Sequence, residues 1–200
     1  MSIKIFQFLI YGLFSFLTFA QNAPTKRKLS SFKKIYSSAI SFYYGSKPAN
    51  IVLTDSTVNR YVAETSYNDI ADNLDKRNVI FNGSVKLDAS WVSVLRKADK
   101  KKNNLKNYKL PDIKLNNWGI RLVSKDSIRL SMQDMGMEGF RKVFQVGDYI
   151  ELSSIILIKN KAILELSRFN NELNAEGKIF FLKKIKKKWV VVSFINTWVS

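Results

Sequence analysis

The sequence predicts an α+β domain in which N-terminal helices pack on a C-terminal antiparallel β-meander. Three observations carry that prediction. The last quarter holds four runs rich in β-branched and aromatic residues, YIELSSIILI, AILELSRF, KIFFLKKI and WVVVSFINTWV, which suit a pleated, half-buried surface. The connections at 159–161, 170–177 and 186–188 are too short for the crossover that a parallel return needs. Upstream, apolar residues recur at helical spacing.

The chain begins with MSIKIFQFLIYGLFSFLTFA: one lysine, Lys4, then an apolar run, then Thr18 and Ala20 as small residues flanking Phe19. This reads as a secretory leader cut between Ala20 and Gln21. The run is too short and too weakly flanked for a comfortable spanning helix, so no stable transmembrane segment is expected after cleavage. A domain with no cysteine gains nothing from an oxidising compartment, and its stability must come from apolar burial. The formal net charge is +17. That draws a protein to anionic surfaces, although lysine-rich solvated positions are also a common compositional habit.

In chain order, residues 21–28 read as a basic, Pro-containing tail. Leu29, Phe32, Ile35, Tyr36, Ala39, Ile40 and Tyr43 form the apolar stripe of an amphipathic helix that Gly45 can close. Ile51, Val52 and Leu53 read as a short strand entering a polar turn, with residues 58–62 able to extend it. Ser66 can cap a helix whose apolar face is Tyr67, Ile70, Ala71 and Leu74. Its Asp69, Asp72 and Asp75 sit at a spacing that normally faces solvent, whereas cation sites draw ligands from turning loops. Asn82-Gly83 between two β-prone runs is a strong hairpin signal. Asp88 or Ser90 can cap a helix with Trp91, Val94, Leu95 and Ala98 inward and lysines gathered at its end. Residues 103–111 read as loop, 113–115 and 120–123 as extended, 127–130 as a strand or turn, and 131–144 as an interrupted helix. Runs 155–158 and 189–192 are apolar on both faces and read as central strands.

Tyr149-Ile150-Glu151-Leu152-Ser153, Lys161-Ala162, Gly177, Leu182-Lys183-Lys184, Trp189 and Trp198-Val199-Ser200 resemble the end of a group of small exported Bacteroidota proteins with a "G…LKK…GKW…WIS" arrangement. The stretch from Ile51 to Thr57 and Ala89-Ser90-Trp91 resemble that group's earlier part. The resemblance implies export and an α+β domain, and it supplies no mechanism. This chain departs from it in having no cysteine between Asn170 and Gly177, and in having Lys186, Lys187 and Lys188 where a Gly-containing turn would stand.

The absence of both His and Cys removes imidazole bases, Ser-His and Cys-His nucleophile pairs and the usual zinc and copper ligand sets. Scattered glycines form no phosphate loop, and no cofactor is expected. Glu151 and Glu165 are candidate pocket acids if adjacent strands bring them across from each other. Lys97, Lys100, Lys101 and Lys102, with Lys183, Lys184, Lys186, Lys187 and Lys188, are candidate anion-binding residues. Their partner would be an anionic envelope component or glycan, since nucleic-acid binding needs more interleaved aromatics. The sequence therefore points to a periplasmic or extracellular, non-enzymatic binding or envelope-accessory protein. Two alternatives stay open: a carboxylate-using enzyme with a pocket between helix and sheet, and an electrostatic module. A cone-like curved sheet with helices on one face is one arrangement open to the fold.

Overall fold

The computed structural model describes residues 25–45, 49–59, 65–75, 87–116, 118–171 and 174–199. The expected leader with its Ala20/Gln21 cleavage site, most of the 58–62 extension and nearly all of the Asn82-Gly83 hairpin lie outside them. The helices are α1 (Lys26–Tyr44), α2 (Tyr67–Asp75), α3 (Val92–Lys102, preceded by a 3-10 turn Ala89–Trp91), α4 (Lys125–Ser131) and α5 (Gly136–Phe144). The strands are β1 (Asn50–Thr54), β2 (Gly119–Val123), β3 (Tyr149–Leu152), β4 (Ile156–Ile158), β5 (Lys161–Asn171), β6 (Asn174–Ile185) and β7 (Lys188–Val199). Among the described residues no helix is long and apolar enough to cross a membrane.

The class is α+β as expected, and the closing strands pair antiparallel in sequence order. The sheet is nevertheless mixed. It runs β2-β1-β3-β5-β6-β7, with β4 pairing β5 off that path, and β1 lies parallel to both β2 and β3. Long connections that contain helices supply the crossovers that parallel neighbours require.

Helices cover both faces, so the cone-like arrangement with one covered face does not occur. On one face Phe32, Ile35, Tyr36, Ala39 and Ile40 of α1 meet Ile51, Leu53, Ile150, Leu152, Leu164, Leu166, Phe180 and Leu182. On the other, Tyr67, Ala71, Trp91, Leu95 and Ala98 meet Ile156, Ile163, Ile179 and Phe181. Ile128, Phe140 and Phe144 cover Val52 on that second face, beside Tyr149. The alternating strand periodicity and the helical stripes thus find each other as the sequence implies.

Several expectations change. The stretch 149–158 is not one strand. Leu152 opposes Leu166 while Ile156 opposes Ile163, so one extra residue bulges out, and the Ser153 hydroxyl replaces the missing backbone acceptor by taking the Glu165 N–H at 2.7 Å. Residues 127–130 are helical rather than extended, because the Ser124 hydroxyl caps α4 through the Ser127 N–H. Residues 113–115 form no strand. Strand pairing consumes most of the expected 170–177 loop, with Asn171 opposite Asn174. Lys26 and Lys28 of the expected tail are helical, entered through a Thr25 hydroxyl that accepts the Lys28 N–H.

The runs read as central are not central. Among the described residues β4 pairs only with β5, and β7 stands last in the sheet. Both can be apolar on two faces because α1 and α3 overhang the sheet margin, with Trp189 buried against α1's cluster and Val192 and Ile195 against that of α2 and α3. Gly177 permits a close approach at this margin: a Cβ there would lie 2.2 Å from Trp198 Nε1.

The Trp91 ring is 1% exposed and stands edge-on to Phe181 at 5.6 Å. Trp91→Ala is expected to cost about 3–5 kcal/mol through lost burial and cavity formation. Denaturant unfolding checks this, and a loss below about 1 kcal/mol would contradict the packing described.

Candidate functional site

The free margin of β7 is defined by the hairpin before it. Ile185 opposes Lys188 across a two-residue turn in which Lys186 and Lys187 both have positive φ, 44° and 69°. Such a turn makes its flanking residues a hydrogen-bonded pair, so the next residue, Trp189, turns its amide and carbonyl away from β6. Two contacts agree with this. Lys184, opposite Trp189, gives its N–H to Asn160 on the other side at 2.8 Å. The Ser38 hydroxyl reaches the Trp189 carbonyl from outside at 2.9 Å. Val191, two residues on, shares Trp189's outward orientation.

Beside this margin lies an open groove of about 470 Å³, lined by Ser37, Ser38, Ser41 and Phe42 of α1 and by Trp189, Val190 and Val191 of β7. Phe42 is 47% exposed although its ring contacts Phe180 and Phe194. Val190 is 43% exposed. The groove therefore combines a small hydroxyl-bearing helix face, an apolar wall and the edge of a strand that pairs with no further strand among the described residues, its Trp189 carbonyl met by Ser38.

The candidate lysines form two groups at different places. Lys161 in β5 pairs with Lys183 in β6, and its ammonium donates to the Ser90 carbonyl and hydroxyl at 2.7 and 2.6 Å. Ser90 precedes the start of α3. Lys100, Lys101 and Lys102 end that helix, roughly 16 Å further along at 1.5 Å per residue. There Lys102 is engaged with the Thr65 carbonyl at 2.6 Å and with Asp99 at 3.1 Å, and Lys97 is exposed on the helix surface. Lys183, Lys184, Lys186, Lys187 and Lys188 gather instead at the β6–β7 turn, beside Lys159 and Lys161 of the β4–β5 turn.

Lys161 is buried, which holds its ammonium below the usual lysine range, with Asp88 opposing that shift and Lys183 adding to it. The Ser90 hydroxyl donates to Asp88, whose carboxylate also accepts the Ser90 N–H at 2.9 Å. This is a helix-start cap with a lysine beneath it, stacked over Trp91 at 4.7 Å. The serine proton points to the carboxylate rather than to the amine.

The two candidate acids do not form a facing pair. Glu151 opposes Ser167, whereas Glu165 opposes Ile179, which leaves the carboxylates diagonal on one face. Glu165 is 2% exposed and accepts from the Thr197 hydroxyl at 3.2 Å. Glu151 lies 3.6 Å from Lys125 and lines a cavity of about 250 Å³ with Thr54, Lys125, Arg129 and Tyr149. Asp55 is held by its backbone, bonded to Val123 and Leu110. Of the three helical aspartates, Asp72 pairs with Arg96 at 2.9 Å. Among the described residues no group of three acids is placed to hold a metal ion.

A polar cluster locks the C-terminal end of α1 over the far end of the sheet. Tyr43 donates to Glu176, Tyr44 donates to Asp148, and Arg168 pairs with Asp148. Lys178 pairs with Glu176 at 2.7 Å and sits over the Tyr43 ring at 4.9 Å. Sequence reasoning overlooked this cluster, because its members come from four distant segments and share no local pattern.

Comparison with protein-family models, with curated proteins and with solved structures returns no match. The groove and its surroundings are therefore read from geometry alone.

Two outcomes follow from the site's electrostatics and turn chemistry. Burial pushes the Glu176 carboxyl upward, but the hydrogen bonds from Lys178 and Tyr43 and the nearby cations outweigh it and hold the group below its ordinary 4.5. A depressed folded-state pKa contributes stability that is present above the unfolded value and lost as pH falls through the folded one. Glu176→Gln is thus expected to flatten the acid limb of the stability profile below pH 4.5; an unchanged limb in pH-resolved melts would refute the assignment. Replacing Lys186-Lys187 with Asn-Gly, whose residues favour positive φ, is expected to stabilise the protein by about 1–2 kcal/mol in denaturant titrations.

Proposed function

We propose that this chain is a non-enzymatic binding protein, exported as an envelope-associated accessory component, which takes an extended polypeptide segment as an added strand on β7. The observation that supports it is the juxtaposition of an outward-facing strand edge with an apolar groove. An added strand gains affinity from main-chain hydrogen bonds and specificity from pockets for alternate side chains, and the margin from Trp189 to Val191 beside Phe42 offers both. Sheet-forming proteins ordinarily blunt such edges with charge, proline or a covering element. β7 has a charged residue only at its first position, Lys188, and no proline, and α1 meets its edge through Ser38 at the Trp189 carbonyl. Export is supported by the leader-like first twenty residues.

The carboxylate-enzyme reading has less support. Glu165 is sealed inside the sheet, and Glu151 is engaged by Lys125 at its cavity wall.

The test is hydrogen exchange on the full chain with and without a peptide of alternating valine and threonine, about twelve residues long to match one strand. Slowed exchange at the Val191 amide and its outward-facing neighbours is expected. Protection elsewhere, or none, would overturn the proposal. Val191→Pro deletes one outward donor without removing a bond to β6, and Phe42→Glu charges the groove wall. Each is expected to weaken peptide binding about tenfold or more while the far-UV spectrum is retained.

A further inference from the structure

We infer that the segment received by β7 carries an acidic flank, which seats on a crown of lysines at the start of that strand; this rests on the strand-addition reading above. The crown is built by two adjacent turns. Lys159 lies in the β4–β5 turn, and Lys184, Lys186, Lys187 and Lys188 surround the β6–β7 turn. The two turns are joined by the hydrogen bond from the Lys184 N–H to the Asn160 carbonyl. These five lysines are exposed, and among the described residues none forms an ion pair. Asp88, which interacts with Lys161 and Lys183, is committed to Ser90.

A second observation marks the crown as more than solvated surface. Of the four non-glycine residues with positive φ among those described, Lys159, Lys186 and Lys187 are three. Left-handed backbone is unfavourable for an L-residue, and Asn or Gly would relieve it. Three lysines stand where local conformation disfavours them, and what they supply that Asn or Gly would not is charge. Strain of this kind concentrates where a chain meets a partner.

The crown and the groove are continuous. Lys188 is followed directly by Trp189 and Val190 of the groove wall, Lys184 shares a register with Trp189, and exposed Lys34 lies one helical turn before Ser37 and Ser38. α1 and β7 run the same way here, since Ser38 contacts Trp189 while Phe42 contacts Phe194. The lysines therefore crowd one end of the groove only. A lipid surface or a glycan chain would meet the charge but leave the outward backbone groups of β7 unused. A polypeptide with carboxylates at one end and alternating apolar residues beyond them uses both. A second copy of this chain brings the same positive charge and gains nothing from the crown.

The experiment compares two peptides with the same valine-threonine strand, one carrying four glutamates at one end and the other four glutamines, by calorimetry against the full chain at low and at near-physiological salt. The acidic peptide is expected to bind about tenfold tighter at low salt, with the advantage shrinking as salt is added. It should vanish in the variant Lys184→Gln, Lys186→Gln, Lys187→Gln, Lys188→Gln, whose affinity for the neutral peptide should be unchanged. Equal binding of the two peptides to the wild type overturns the acidic flank and leaves strand addition standing. Binding of the acidic peptide that survives Val191→Pro but not the lysine changes overturns strand addition and exposes a bare electrostatic site. Equal loss of both peptides in the lysine variant, with its melt unchanged, also refutes the inference.

Discussion

Burial of β5 on both faces is the constraint on which the remainder of the structure depends. Residues 162–167 are all buried, so no stretch of this strand tolerates water on either side. A strand of that kind needs a neighbour on each edge and a cover on each face. β6 supplies one edge, and β3 and β4 supply the other in two pieces. α1 covers one face, and the helices that follow β1 and β2 cover the other. The parallel strands β1 and β2 complete the sheet beyond β3, reached by the helical crossovers that also provide the second cover.

Within this frame polar groups are placed where the pairing is irregular. The bulge between β3 and β4 exposes backbone groups that the antiparallel ladder cannot satisfy. Side chains take them over: the Ser153 hydroxyl accepts the Glu165 N–H, the Tyr36 hydroxyl donates to the Ser153 carbonyl at 2.8 Å, and the Asn59 side-chain oxygen accepts the Ser154 N–H at 2.7 Å, while the Ser154 hydroxyl meets Thr57 at 2.9 Å. Tyr108 contacts Tyr36 at 2.6 Å, and burial pushes its own hydroxyl up to about 12, so the network stays protonated at ordinary pH. Buried polar groups satisfied in this way fix the register of the strands around them.

The same covering layers explain why the sheet ends as it does. Helices that overhang the margin allow an apolar strand at the edge, because they shield much of its faces while its outer side pairs with no further strand among the described residues. Stability is served by the shielded faces, and the unpaired edge is what remains available to a partner. The lysines at the β6–β7 turn occupy left-handed positions that a turn selected for stability alone would give to Asn and Gly. Stability and surface charge thus pull in opposite directions at one end of β7.

The amino-acid sequence by itself determined the identity of most elements. The stripes of Phe32, Ile35, Tyr36 and Ala39 and of Trp91, Leu95 and Ala98, and the β-rich runs of β5, β6 and β7, are local patterns with a fixed period, and such patterns are legible in one dimension. It also placed lysines at the β6–β7 turn and tryptophans in the closing strands. Tertiary structure alone decided which strands lie at the margin, that β1 runs parallel to two neighbours, that Glu151 and Glu165 fall diagonal rather than opposite, and that the lysines of α3 stand apart from those of the β6–β7 turn. Strand order and cross-strand register depend on contacts between residues far apart in the chain, as between Tyr43 and Glu176 or Ser38 and Trp189. Hydrophobic periodicity states that a face is to be buried, and only the packed chain states against what.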